Sequence, residues 1–216
     1  MKLLSFDSSA VTASAALTDD GKVVRSEFVN AGLTHSETLL PMIERVMGDV
    51  DYSRLDGIAV TAGPGSFTGV RIGVATAKGL AFKHNTPCYS VSTLEAIAYN
   101  FVNKDCIVCA VMDARRMQFY NALFSIENGA VSRLTPDRAI ALDDLKKELV
   151  AYDEVIVGGD GAKLCCDNAD LDNCVLADED TMYQNAVSVS LAAKNKNPLS
   201  PDELMPVYLR LSQAER

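Results

Sequence analysis

Apolar positions fall along this chain in two rhythms, and both rhythms occur twice. Lys2–Phe6 and Cys106–Met112 are mostly apolar runs, which predicts buried strands. Each run leads into a polar turn, a short apolar run, a glycine turn and a third apolar run, the pattern of strand, hairpin and strand. In the first half this reads Phe6-Asp7-Ser8-Ser9, then Ala16-Leu17, then Gly21 and Val23. In the second it reads Met112-Asp113-Ala114-Arg115, then Ala122-Leu123, then Gly129 and Val131. Both Ala-Leu pairs begin nine positions after the aspartate, 7 to 16 and 113 to 122.

A 3.6-residue rhythm follows each hairpin. Ser36–Met47 carries Leu39, Leu40, Ile43, Val46 and Met47 at helical spacing, and Leu142–Val150 is its counterpart. Thr34-His35-Ser36-Glu37 fits a capping box, Pro41 is expected near the first turn, and Gly48 is a natural stop. His35 then stands at the helix start, either capping it or facing a partner. Asp56–Val60 runs into Gly63-Pro64-Gly65, and Asp153–Val157 runs into Gly158-Gly159-Asp160-Gly161. Each half therefore reads βββ–α–β with a glycine loop after its last strand, which predicts a duplicated α/β protein. The expected divisions are an N-terminal lobe, 1–103, a smaller C-terminal lobe, 104–190, and an end segment, 191–216, packing back on the first lobe.

Two such lobes resemble the duplicated actin-like, sugar-kinase and Hsp70 fold. That resemblance implies a nucleotide held where the first hairpins and the glycine loops approach its phosphates, making Asp7, Ser8, Ser9, Gly63 and Gly65 the candidate phosphate-binding residues. Glycine-rich backbone can cradle anions, and a carboxylate such as Asp7 can hold a metal or orient water. An aspartate ending a strand can equally serve its own turn, the preferred reading for Asp113.

Composition narrows the classes. The chain has 216 residues, 48% of them hydrophobic and 23% charged, as in ordinary globular proteins. No apolar run approaches the roughly 20 residues that span a bilayer. Asp7 falls where a signal peptide needs apolar residues, so the expected location is the cytoplasm. A net charge of −9 makes the chain a poor lone binder of nucleic acid. Cys106 and Cys109 form a C-x-x-C within an apolar strand, where residues three apart face opposite sides, so they and Cys165-Cys166 are expected to be inert buried thiols rather than metal ligands.

Thr61–Gly73 is the most unusual segment. A helix over Thr68–Lys83 follows the loop, yet neither a P-loop nor a dinucleotide fingerprint is present. Gly69, Gly73 and Ala77 stand four apart, and an interior helical glycine costs about 0.5–1 kcal/mol relative to alanine. Close approach of another backbone offsets such a cost. The approaching partner is either the lobe's own sheet or a helix of another chain, with Val70 and Val74 broadening the apolar surface.

Ala62-Gly63-Pro64-Gly65-Ser66-Phe67-Thr68-Gly69-Val70-Arg71-Ile72-Gly73 closely resembles the signature of the bacterial TsaB (YeaZ) family. So do Phe6-Asp7-Ser8-Ser9, Thr34-His35-Ser36-Glu37, Tyr208-Leu209-Arg210 and Ser212–Arg216. The resemblance implies a role in forming threonylcarbamoyladenosine at position 37 of tRNAs that read codons starting with A. It implies a catalytic relative, TsaD, as partner, a pathway ATPase, TsaE, self-association as a homodimer, and tRNA contact only through the complex. Catalytic relatives carry two metal-binding histidines, where this chain has Thr93 and Ile97; isoleucine cannot bind a metal and neutral threonine is a weak ligand. No catalytic residue, metal or cofactor is therefore expected for this chain alone, with ATP or ADP at most at the complex boundary. The family's pairing helices place the subunit interface at His35, Leu39, Ile43, Gly69, Val70, Gly73, Val74 and Ala77. On that reading Gly73→Leu breaks the heterodimer and leaves the monomer folded. The alternative is an independent actin-fold ATPase or phosphotransferase, which requires ATP turnover by the isolated chain.

Overall fold

The computed structural model describes residues 1–30 and 34–210; the Ser212–Arg216 motif lies outside the described residues. In chain order the elements are β1 (Lys2–Asp7), β2 (Ala13–Asp19), β3 (Lys22–Val29), α1 (His35–Met47), β4 (Gly57–Gly63), α2 (Phe67–Phe82), β5 (Cys88–Ser92) and α3 (Thr93–Ala98). Then come β6 (Cys106–Asp113), β7 (Gln118–Glu127), β8 (Ala130–Arg133), β9 (Arg138–Ala141), α4 (Leu142–Leu149), β10 (Val155–Gly158), α5 (Ala162–Ala169), β11 (Cys174–Leu176), α6 (Glu179–Met182) and α7 (Ala186–Ala193). The chain divides into two compact units: Met1–Ala96 with Asn185–Tyr208, and Ile97–Gln184 with Leu209 and Arg210. The pattern reading set its divisions at 103/104 and 190/191. The contacts divide at 96/97 and 184/185, because α7 as a whole packs on the first sheet.

The first unit is a five-stranded sheet in the order β3-β2-β1-β4-β5. β1 runs antiparallel to β2 and parallel to β4. Side chains alternate across a strand, and here the alternation separates two chemistries. Leu4, Phe6, Ala15, Leu17, Ile58 and Val60 form one core with α1 and α2. The opposite face meets α7 through hydroxyls: Ser5 Oγ donates to the Ala186 carbonyl at 2.7 Å, and Thr18 Oγ1 and Ser190 Oγ lie 2.7 Å apart.

α1 departs from its expected start. Thr34 is the N-cap, but its side chain makes no capping bond; the helix begins at His35 and Pro41 falls in the second turn. The end follows expectation. Gly48 adopts φ +52° and donates to the Glu44 carbonyl, while Arg25 on β3 donates to the carbonyls of Val46 and Met47. These bonds satisfy carbonyls that a helix end leaves open.

The second unit repeats the strand order as β11-β10-β6-β7-β8, with β9 added on β7. β8 pairs with Phe124–Glu127 and β9 with Gln118–Asn121, so two short strands share one edge of β7. The sequence reading contains only one strand there. Pro136 lies in the gap, and a proline has no N–H to continue a ladder. This duplicated α/β plan is the actin-like fold that the repeats predict.

The core of the second unit joins Cys109, Val111, Phe119 and Leu123 to Leu142, Leu145 and Leu149 of α4 and Cys165 of α5. All six cysteines are free. Burial pushes the Cys165 thiol up to about 12 and the Cys88 and Cys166 thiols up to about 11, so they are uncharged and weakly nucleophilic near neutral pH. Among the described residues, no group of three or more His, Cys, Asp or Glu is placed to hold a metal ion, and no helix is long and apolar enough to cross a membrane.

Candidate functional site

The β1–β2 turn, the β4–α2 loop and the first turns of α2 meet in the first unit. Asp7 ends β1 fully buried. Its Oδ1 accepts from the Ser9 amide at 3.2 Å, from Ser9 Oγ at 2.6 Å and from Thr61 Oγ1 on β4. These bonds give Asp7 the turn role, tying the hairpin to the neighbouring strand. The Ser66 amide donates to the Ser9 carbonyl at 2.7 Å, and Ser8 Oγ donates to the Gly69 carbonyl at 2.9 Å. The candidate phosphate residues Asp7, Ser8, Ser9, Gly63 and Gly65 are thus brought together, with the turn seated directly on the loop.

The seating explains the small residues of α2. A Cβ at Gly69 would lie 2.0 Å from the Ser8 carbonyl oxygen, and one at Gly73 would lie 2.9 Å from Ser8 Oγ and 3.2 Å from Val60 Cγ2. Backbone is approaching backbone, but within one unit. The expected interface residues need correction accordingly. Leu39, Ile43, Val70, Val74 and Ala77 are all buried in the core against the sheet, and Gly69 and Gly73 are buried with them. His35 is half-buried, its Nε2 2.6 Å from the Ala10 carbonyl, so it braces the β1–β2 turn. The physical reason is the helix period: residues 69, 73 and 77 share a stripe with 70 and 74, and one stripe cannot face both the sheet and a partner.

The sequence pattern gives no expectation for the outward stripe. Leu40 on α1 is 45% exposed and Phe82 on α2 is 79% exposed, and Ala75 and Gly79 on α2 are exposed as well. Gly79 is informative because an added Cβ would meet nothing within 4 Å. Among the described residues, nothing offsets its helical cost.

The segment leading to Tyr208, expected to pack back on the first lobe, makes contacts that the sequence pattern does not specify. The Val207 amide donates to the Ala62 carbonyl at 2.7 Å. The Val207 carbonyl also fills the space of a side chain at Gly63, whose φ of +116° already favours glycine. Tyr208 packs on Phe67 with ring centroids 5.0 Å apart. Arg71 lies 3.8 Å over the Phe67 ring and donates to the Tyr208 hydroxyl at 2.8 Å. This clamp lashes the segment across the start of α2. Phe67 and Arg71 stand four apart on α2, but Tyr208 lies 137 residues beyond Arg71, so the sequence pattern does not join it to them.

Thr93 and Ile97, expected from the resemblance to stand in place of a histidine pair, are both fully buried on α3. Neither offers a basic nitrogen to a metal.

The repeated strand order and the turn seated on its glycine loop define the class: a duplicated α/β protein of the actin-like kind. Residues 29–160 match the family model described as "TsaD: tRNA N6-adenosine threonylcarbamoyltransferase". Over its full length the chain is similar to the tRNA threonylcarbamoyladenosine biosynthesis protein TsaB of Bacillus subtilis (strain 168), 31% identical over 224 residues, covering 100% of this chain and 96% of that protein. The TsaB protein of Escherichia coli (strain K12) is 28% identical over 221 residues, covering 97% and 95%. The solved structure of YeaZ from Pseudomonas aeruginosa matches with a TM-score of 0.82 at 25% identity, covering 96% of this chain and 99% of that one. The chain belongs to the TsaB family of tRNA threonylcarbamoyladenosine biosynthesis proteins.

Two predictions follow from the seated turn. Gly73→Leu should destabilise the isolated chain by about 1–3 kcal/mol, because the added side chain is overpacked against Ser8 and Val60; a urea midpoint equal to wild type would refute the packing, and only then would the variant report on an interface. Asp7→Ala strands the buried Ser9 and Thr61 donors, at about 1–3 kcal/mol for each group left unsatisfied. Denaturant titration should register the loss as a lower midpoint at unchanged slope.

Proposed function

We propose that this chain is the non-catalytic partner subunit for threonylcarbamoyl transfer to adenosine 37 of tRNA, acting by docking on the catalytic transferase relative. The observation that carries this reading is full-length kinship to TsaB proteins; buried Thr93 and Ile97, at the positions where the family resemblance implies the histidines of catalytic relatives, support it. The match of residues 29–160 to the transferase family supports a partner built on the same plan, so that equivalent helices of the two chains can face each other.

The docking surface is the outward face of α1 and α2, in place of the inward ridge. Leu40, Ala75, Gly79 and Phe82 supply an apolar centre, and Glu44, Arg45 and Arg71 are exposed around it. An apolar centre with a polar rim suits a protein interface. Gly79 lets a partner helix approach closely, which offsets its helical cost. The same face serves homodimers, so a second copy and the catalytic partner compete for it. In the first unit the turn and the glycine loop occupy each other's space, which supports nucleotide binding at the assembled complex rather than by this chain alone. The net charge of −9 likewise supports tRNA contact only within the complex.

The test is threonine incorporation into tRNA by the reconstituted pathway enzymes, with and without this chain. We expect a strict requirement, and no ATP turnover or product from this chain plus tRNA alone. Equal product without it would overturn the reading, and turnover lost on Asp7→Ala would favour an independent ATPase. Phe82→Asp combined with Ala75→Arg should abolish heterodimer elution on a sizing column and the incorporation with it. The thermal midpoint should move by no more than a few degrees, since surface changes cost about 0.5 kcal/mol or less. Heterodimer surviving in that variant would exclude this face.

A further inference from the structure

The turn between β6 and β7 carries backbone strain that its counterpart in the first unit lacks. Arg115, Arg116 and Met117 adopt φ +68°, +57° and +53°, three successive left-handed residues with side chains. L residues rarely take this conformation, and runs of it are rarer. The β1–β2 turn, at the same place in the repeat, has no positive φ from Ser8 to Thr12 and is largely buried. That turn spans six residues between the paired Asp7 and Ser14 and this one five between Asp113 and Phe119, and strain retained in a turn points to a use for it.

Several bonds hold the strained turn. Asp113 Oδ1 accepts from the Arg115 amide at 2.7 Å, and its Oδ2 from the Arg115 guanidinium at 3.2 Å. The Ala114 amide donates to the Gln118 carbonyl at 2.9 Å, the Leu142 amide to the Met117 carbonyl at 3.1 Å, and Arg210 to the Ala114 carbonyl at 2.8 Å. The result is that Arg115, Arg116 and Met117 all project to solvent, with Arg210 behind them. Asp113 offsets part of the Arg115 charge. Arg116 makes no ion pair among the described residues. From 97 to 184 acidic residues outnumber basic ones, so this turn is a local basic point on an acidic unit.

We propose that the turn is a phosphate-contacting element, Arg116 and Arg115 gripping backbone phosphates of the tRNA in the complex, with Arg210 as a positioning residue. The proposal rests on the function proposed above, which is what brings tRNA to this chain. A guanidinium matches a phosphate with two parallel N–H donors, and it keeps its charge at any physiological pH. A single basic point amid acids cannot gather RNA by long-range attraction. It can only add contacts to an RNA that a partner already presents.

The experiment measures tRNA affinity of the reconstituted complex as a function of salt. Arg115→Ala with Arg116→Ala should leave the heterodimer intact on a sizing column and weaken tRNA binding about tenfold near physiological salt. The slope of log affinity against log salt should become shallower by about 1–2, as expected for one or two lost phosphate contacts. Arg116→Gly removes the charge and the left-handed strain together, so it should bind tRNA more weakly while raising the thermal midpoint by about 2–4 °C. A merely structural arginine would not produce that opposition. Unchanged affinity and slope in an intact heterodimer would overturn the proposal. So would loss of the heterodimer itself, which would make the turn a protein contact, or a lowered midpoint in Arg116→Gly. Failure of the underlying reading is seen separately, in wild-type complexes that modify tRNA equally well without this chain.

Discussion

No room exists for a side chain at residue 69, and much of the first unit follows from that. The Ser8 carbonyl rests on the bare backbone of α2, and this contact fixes how far the helix stands from the sheet. At that distance Gly73 meets Ser8 and Val60, Val70 and Val74 reach the core, and Ser66 can both cap α2 and donate its amide to Ser9. Asp7 completes the arrangement from the other side by holding Ser9 and Thr61. Glycine is required here for its lack of volume, not for backbone freedom.

The same contact decides which surfaces remain for other molecules. Because the inward stripe of α2 is consumed by the sheet, only the outward stripe is open to a partner. The two units thereby divide their labour. The first presents an apolar helical face, and the second presents a strained cationic turn at the position where the first has small buried hydroxyls.

Much of the fold was legible from spacing. The nine-residue offset from Asp7 to Ala16 and from Asp113 to Ala122 marks two hairpins of nearly equal length, antiparallel pairs with Asp7 opposite Ser14 across six residues and Asp113 opposite Phe119 across five. The glycine loops were legible because strand-ending glycines are rare without a steric reason. The direction faced by Gly69, Gly73 and Ala77 was not, since a small-residue ridge looks the same whether a strand turn or a foreign helix fills it. β9 escaped notice because Arg138–Ala141 is short and its pairing depends on how far β7 extends. The Phe67–Arg71–Tyr208 clamp and the left-handed Arg115–Met117 run have no local signal, because the first joins distant segments and the second is imposed by Asp113, Leu142 and Arg210.

The interrupted edge of the second sheet bears on solubility. An open strand edge is a template for pairing with another molecule, and proteins blunt such edges with charge, proline or brevity. The first sheet ends in β3, eight residues long and largely exposed, and it relies on Lys22, Arg25 and Glu27 along that strand. The second sheet breaks its edge at Pro136, so β8 and β9 offer four residues each. A duplicated fold has thus met the hazard of edge-to-edge aggregation twice, once by electrostatics and once by geometry. High salt screens the first defence and leaves the second intact.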